Sequence, residues 1–155
     1  MAIIYISDAH KDVAERLARD STTIADKSIF PTYMHLMAFA AMVGYANGTS
    51  CPVDPKDRGP EVDEQVFARH EMDGLVYLLA LEATEDCDIL RAGKVNEAWR
   101  LIESYAEGGF KIIQQWLLDA PGDVDGVDAL LSRITEIASE KAKFVTEPLQ
   151  PRIDF

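Results

Sequence analysis

Few side chains in this sequence stand at spacings that catalysis or metal binding needs. Glu82, Glu85 and Asp86 lie at i, i+3 and i+4, which on a helix places three carboxylates on one face. Such a group can hold a divalent cation or work as acid and base. A site would need a second element to supply ligands, so these three are weak metal candidates beside a plain surface reading. His10, His35 and His70 are far apart and form no H-x-x-x-H pair. A zinc site would require them to converge with Cys51 and Cys87. There is no G-x-S-x-G anchor for a serine nucleophile, and Gly93-Lys94 lacks the glycine-rich loop of a phosphate cradle. Asp54-Pro55-Lys56 is a D-x-K fragment of the kind nucleases use, without a placed partner acid. The run Asp123 to Asp128 superficially resembles a calcium loop. Its sixth position holds Asp128 where glycine is required, and its twelfth holds Ile134 where a carboxylate is required. Acids capping the positive end of a helix dipole explain it better. No catalytic residue and no cofactor is expected.

The elements that would position these groups are mostly helical. Residues 2–6 are β-prone, and Asp8 is a plausible cap for a helix carrying Val13, Ala14, Leu17 and Ala18, which Ser21-Thr22-Thr23 ends. Pro31 stands where a helix can begin without an N–H. Tyr33, Leu36, Met37, Ala40, Ala41 and Gly44 follow at helical spacing, with Phe39 and Val43 widening the stripe, and Asn47-Gly48 closes it. Residues 47–60, with Pro52, Pro55 and Pro60, form the one long irregular stretch, and residues 61–67 pair with 2–6 as a minor β-hairpin. Leucines between Met72 and Ala83 predict a central buried helix. A long helix over Lys94–Leu118 carries Ala98, Leu101, Ile102, Tyr105, Ile112, Ile113, Trp116 and Leu117 on its apolar face, and Gly108-Gly109 inside it requires a kink or a close backbone contact. Trp116 continues that face; Trp99 lies off its centre, as core or as an interface anchor. A last helix starts near Asp123 or Asp125. The expected fold is a mainly α, single-domain bundle of about five helices over residues 1–146, with an extended tail over 147–155.

The chain has 155 residues, 48 % of them hydrophobic, and a formal net charge of -12. That apolar content is too high for a disordered chain, and no apolar run reaches the roughly 18 residues of a membrane span. Residues 61–128 hold 16 acidic and 5 basic residues, so nearly all of the excess lies there. Direct tight nucleic-acid binding is not expected, since it rests on Lys and Arg neutralising phosphates. The acidic middle reads as a solvated face, as a docking surface for a basic partner, or as a mimic of nucleic-acid phosphates. Lys56, Arg58, Glu61, Asp63 and Glu64, in and after the proline-rich loop, are candidate interaction residues together with Trp99. Two cysteines outside any C-x-x-C pair, and no basic region ahead of the apolar start, suit a cytoplasmic protein with reduced thiols. The apolar stripes exceed what one small core absorbs, so a homodimer is an open expectation.

Two segments resemble a known family. The first is Ile29-Phe30-Pro31-Thr32-Tyr33 with Phe39-Ala40-Ala41 and Gly44-Tyr45; the second is Ile102 to Gly109, containing Tyr105-Ala106-Glu107-Gly108-Gly109. With the leucine-rich helix between them, they look like DNA phosphorothioation-associated protein 4, the small Dnd-system-associated family, over roughly residues 10–118. The resemblance implies a bacterial defence context, beside systems that put sulfur into the DNA backbone and restrict unmodified DNA. It implies no catalytic mechanism. Its motif positions Phe30, Pro31, Tyr33, Phe39, Ala40, Ala41, Gly44, Tyr105, Gly108 and Gly109 are packing residues. The expected function is a non-enzymatic accessory protein contacting other proteins of such a system. The alternatives are a DNA-mimic regulator and a divalent-metal nuclease or hydrolase using Glu82, Glu85 or Asp86.

Overall fold

A computed structural model describes residues 1–18 and 28–145. The chain opens with β1 (Ile3–Ser7), in which Ile4 and Ile6 point inward and are fully buried. β1 pairs antiparallel with β2 (Arg58–Asp63) in the register Ile4 to Val62 and Tyr5 to Glu61. The two-stranded sheet tolerates Pro60 because both strands are edges. The expected pairing is present, but its second strand is shifted. It ends at Asp63, whose carboxylate accepts the Gln65 N–H at 2.8 Å and so caps α3 (Glu64–Arg69). Residues 64–67, expected as strand, are therefore helical and supply a sixth helix.

A 3₁₀ turn over Asp8–His10 leads into α1 (Lys11–Leu17). Asp8, expected as the cap, is the first residue of that turn. The expected stop at Ser21-Thr22-Thr23 and the tail over 147–155 lie outside the described residues. α2 (Tyr33–Ala46) is capped by Thr32, which accepts the His35 N–H at 3.4 Å. Pro31 thus precedes the cap. Gly48, at φ 63°, provides the left-handed residue that lets the chain leave the helix. α4 (Asp73–Thr84) is followed by 3₁₀ turns over Cys87–Leu90 and Ala92–Lys94, then α5 (Val95–Leu118) and α6 (Val127–Val145). Asp123 accepts the N–H groups of Gly126 at 3.0 Å and Ala129 at 2.8 Å. Asp123 therefore serves as a capping group ahead of α6.

The centre is the α2–α5 pair. α2 buries eight of its residues. α5 is buried on more sides than its apolar spacing predicts, enclosing Trp99, Glu103, Glu107 and Phe110. Of the two readings open for Trp99 the structure has the core one, and Trp116, expected in the core, is the less enclosed of the two. Trp99 is 2 % exposed and packs edge-on against Phe67 at 5.1 Å, so it is a core residue and not an interface anchor. Trp116 is only half-buried. The leucine-rich α4 is likewise not the central helix, since it buries Val76, Leu79 and Ala80 and leaves Leu78 65 % exposed.

The α2–α5 contact is backbone against backbone. A Cβ on Gly109 would fall on the Ala40 carbonyl, and one on Gly44 on the Tyr105 carbonyl and 2.9 Å from the Gly109 nitrogen. A Cβ on Gly108 would meet the Thr49 carbonyl. Backbone atoms cannot move aside as flexible side chains can. Gly109→Ala should therefore lower the unfolding free energy by about 3 kcal/mol through overpacking. Gly74→Ala, where a Cβ meets nothing within 4 Å, should leave it unchanged or raise it by up to about 1 kcal/mol. Urea titration of both variants followed by circular dichroism checks the contrast.

Candidate interaction surface

Two acids of α5 gather ionisable and polar partners inside the molecule. His10, at the start of α1, directs Nε2 to the Glu107 carboxylate at 3.1 Å, and its ring stacks on Phe110 with centroids 5.6 Å apart. One turn earlier, the buried Glu103 accepts the Tyr5 backbone N–H at 2.7 Å and a charged hydrogen bond from Arg100 at 2.8 Å. These two acids, at i and i+4 on α5, fasten β1 and the following turn to the central helix. Burial pushes the Glu107 carboxyl up. The hydrogen bond and charge of His10, with smaller help from Ser7 and Lys111, outweigh that and hold it below the ordinary carboxylate range. Sequence spacing missed this pair. The one available signal was two acids, Glu103 and Glu107, flanking Ala106 on a face otherwise apolar.

The other sequence candidates do not assemble into a reactive site. Glu82 is on α4, but Glu85 turns left-handed at φ 53° and ends the helix. Asp86 is extended and caps the next turn by accepting the Asp88 N–H at 2.9 Å. The three acids therefore do not share a helix face. Asp54 accepts the Lys56 N–H at 2.9 Å, which makes the D-x-K fragment a turn. His35 and His70 do come together, edge-on with centroids 5.3 Å apart, while His35 Nδ1 lies 2.8 Å from the Thr32 hydroxyl. Among the described residues no group of three or more His, Cys, Asp or Glu side chains is placed to hold a metal ion. No helix among them is long and apolar enough to cross a membrane.

The candidate interaction residues fall in two places. Lys56 is exposed in the proline-rich loop, while Arg58, Glu61, Asp63 and Glu64 lie along β2 and the start of α3. Arg58 stacks over the Tyr5 ring at 4.6 Å, so part of its charge is already engaged. The loop is not free along its length. Thr49 N–H reaches the Gly44 carbonyl at 2.8 Å, Cys51 N–H the Ser104 carbonyl at 2.9 Å, and Asp57 accepts the Asp8 N–H at 2.9 Å.

A surface that no sequence spacing singled out lies between α2 and α4. Met42, Tyr45, Ala46, Leu75, Leu78 and Leu79 line a cavity of about 440 Å³, with Glu82 and Lys141 at its edge. Met42 and Leu78 are exposed. Burial and the neighbouring Glu82 carboxylate hold the Tyr45 phenol above its ordinary value. The groove exists because α4 turns only part of its leucine surface toward α5. The leucines were visible in sequence, but which of them faced outward was not.

Glu107 has a pH signature. A carboxyl held low in the folded state contributes stability that is complete above its unfolded value and fades as pH falls through the folded value. The wild-type protein should therefore lose this contribution progressively below about pH 4.5, the ordinary value for the group. Glu107→Gln should cost about 3 kcal/mol at neutral pH by breaking a buried pair. That cost should shrink in acid, as read from urea midpoints of the two proteins at neutral and acidic pH.

Comparison with known proteins agrees with the resemblance of the two packing segments. No curated protein and no solved structure matches the chain. Residues 4–148 match the family described as DNA sulphur modification system-associated protein 4. The match takes in the strand pair, the α2–α5 glycine contact, both buried acids and the groove. The chain belongs to the DNA sulphur modification system-associated protein 4 family.

Proposed function

We propose that this protein is a non-enzymatic adaptor of a DNA sulphur modification system, working through protein contacts at the groove between α2 and α4. The observation that carries the reading is an apolar hollow left open on a domain whose centre is sealed backbone to backbone: Met42, Leu75 and Leu78 around about 440 Å³. Exposed apolar surface of this kind, rimmed by polar groups, marks an interaction site more often than a solvent face. Glu82 borders it, and the exposed Glu85 and Asp86 follow at the end of α4. The occupant this suits is a segment of another protein of the system that inserts an apolar side chain with Lys or Arg beside it. Acidic charge there steers such a partner and repels nucleic acid. A cytoplasmic setting is part of this reading, and in it Cys51 and Cys87, both free thiols, would stay reduced.

The tagged chain, expressed with the rest of the system, should retain a partner protein. Leu78→Glu should weaken that retention at least about tenfold, as expected for a central apolar anchor. Glu82→Lys with Glu85→Lys should weaken it most at low salt. Retention indifferent to Leu78→Glu would remove the groove from the proposal. A partner released by duplex DNA in competition would assign the acidic surface to DNA mimicry.

A further inference from the structure

α6 has two apolar faces, and the domain uses one. Ala129 and Leu130 are buried against the body of the protein. Val127, Leu131, Ile134 and Ala138 recur at spacings of four, three and four residues, the a/d rhythm of a helix–helix seam. Of these, Val127 is 47 %, Leu131 60 % and Ile134 44 % exposed. A continuous apolar stripe over three turns of an otherwise solvated helix is costly to leave in water.

The charges along the helix say what fits it. Asp125 and Asp128 stand at its beginning, where Asp123 caps the helix and Asp119 is paired with Arg133, and Lys141 and Lys143 follow Glu136 and Glu140 toward its end. A second copy laid parallel would bring acids against acids. Laid antiparallel, the same surface is complementary to itself, as a two-fold interface requires. We propose that the bare stripe of α6 pairs antiparallel with the same stripe of a second copy, about a dyad between Leu131 and Ile134. Leu131 of one copy then meets Ile134 of the other, Val127 meets Ala138, and Lys141 comes beside the partner-copy residues around Asp125 and Asp128. Acids at a helix start and lysines at its end also suit the helix's own dipole, so the test must read pairing and not helix stability. One helix pair lies at the small end of stable interfaces, which bury roughly 1,200–2,000 Å², and micromolar dissociation is expected.

Sedimentation velocity across the micromolar range, with the full chain, should show a concentration-dependent dimer. Leu131→Glu, at an exposed position, should yield a monomer with unchanged circular dichroism. Lys141→Glu alone, and Asp125→Lys with Asp128→Lys, should each weaken the dimer at least about tenfold; all three together should restore it. Lys141 also borders the α2–α4 groove, so Leu131→Glu is the variant that tests dimerisation without touching partner retention there. A wild-type monomer at every concentration, or a dimer indifferent to Leu131→Glu, overturns the proposal. A dimer lost on charge reversal and not recovered in the triple variant overturns the antiparallel arrangement.

Discussion

The domain depends on the line along which α2 and α5 touch without side chains. At Gly44 and Gly109 each helix presents bare backbone to the other, and Ala40 and Ala41 keep the approach open on either side. Dispersion between close-packed backbones replaces the usual side-chain filling. The loop after α2 shares the arrangement. Its Thr49 carbonyl lies where a Cβ of Gly108 would be, and its N–H groups bond back to Gly44 and, through Cys51, to Ser104. With the midline occupied by backbone, large side chains are pushed to the flanks, where Tyr45 meets Tyr105, Phe67 meets Trp99 and Phe110 meets His10.

That geometry explains why α5 carries two buried acids. One side of the helix is spent on α2, so the short strand β1 and its following turn must be fixed to another. Strand edges carry backbone N–H groups that are costly to bury unpaired. Glu103 satisfies the one at Tyr5, and Glu107 takes the His10 ring. Buried carboxylates are tolerated only when paired in this way, and each here has a named donor. They contribute attachment of one element to another, and neither opens onto the groove.

Much of the fold was legible because periodicity and packing residues speak directly. The run Ala40-Ala41-Gly44 and the step Gly108-Gly109 announced a close helix contact, and the contact is there. The β-prone start paired as expected, but with Arg58–Asp63, which contains Pro60 and shares only residues 61–63 with the expected partner. What failed depended on tertiary choice. Trp99 and Trp116 lie about 100° apart around α5, and Trp99 is on the side where α3 brings Phe67 against it. Residues 64–67 carry both strand and helix signals; the carboxylate of Asp63 tips them to helix by capping. The acids at 82, 85 and 86 fit a helical face until Glu85 turns left-handed. A helix end is a local event that spacing alone does not announce. For the groove, sequence supplied the leucines of α4 but not the tilt that leaves Leu78 in solvent.

The small residues that carry the family resemblance and the surfaces proposed for partners are therefore different residues. Ala40, Ala41, Gly44, Gly108 and Gly109, which carry the resemblance, are buried and can contact nothing outside the chain. They preserve a scaffold. The surfaces proposed for partners, the Met42–Leu78 hollow with its acidic border and the second face of α6, are built from side chains the scaffold holds outward. These can vary without disturbing the glycine contact, because neither surface shares a side chain with it. A domain built this way lets its outer surface change while the fold stays fixed, which is what the proposed adaptor role requires of a protein whose most specific residues are its smallest.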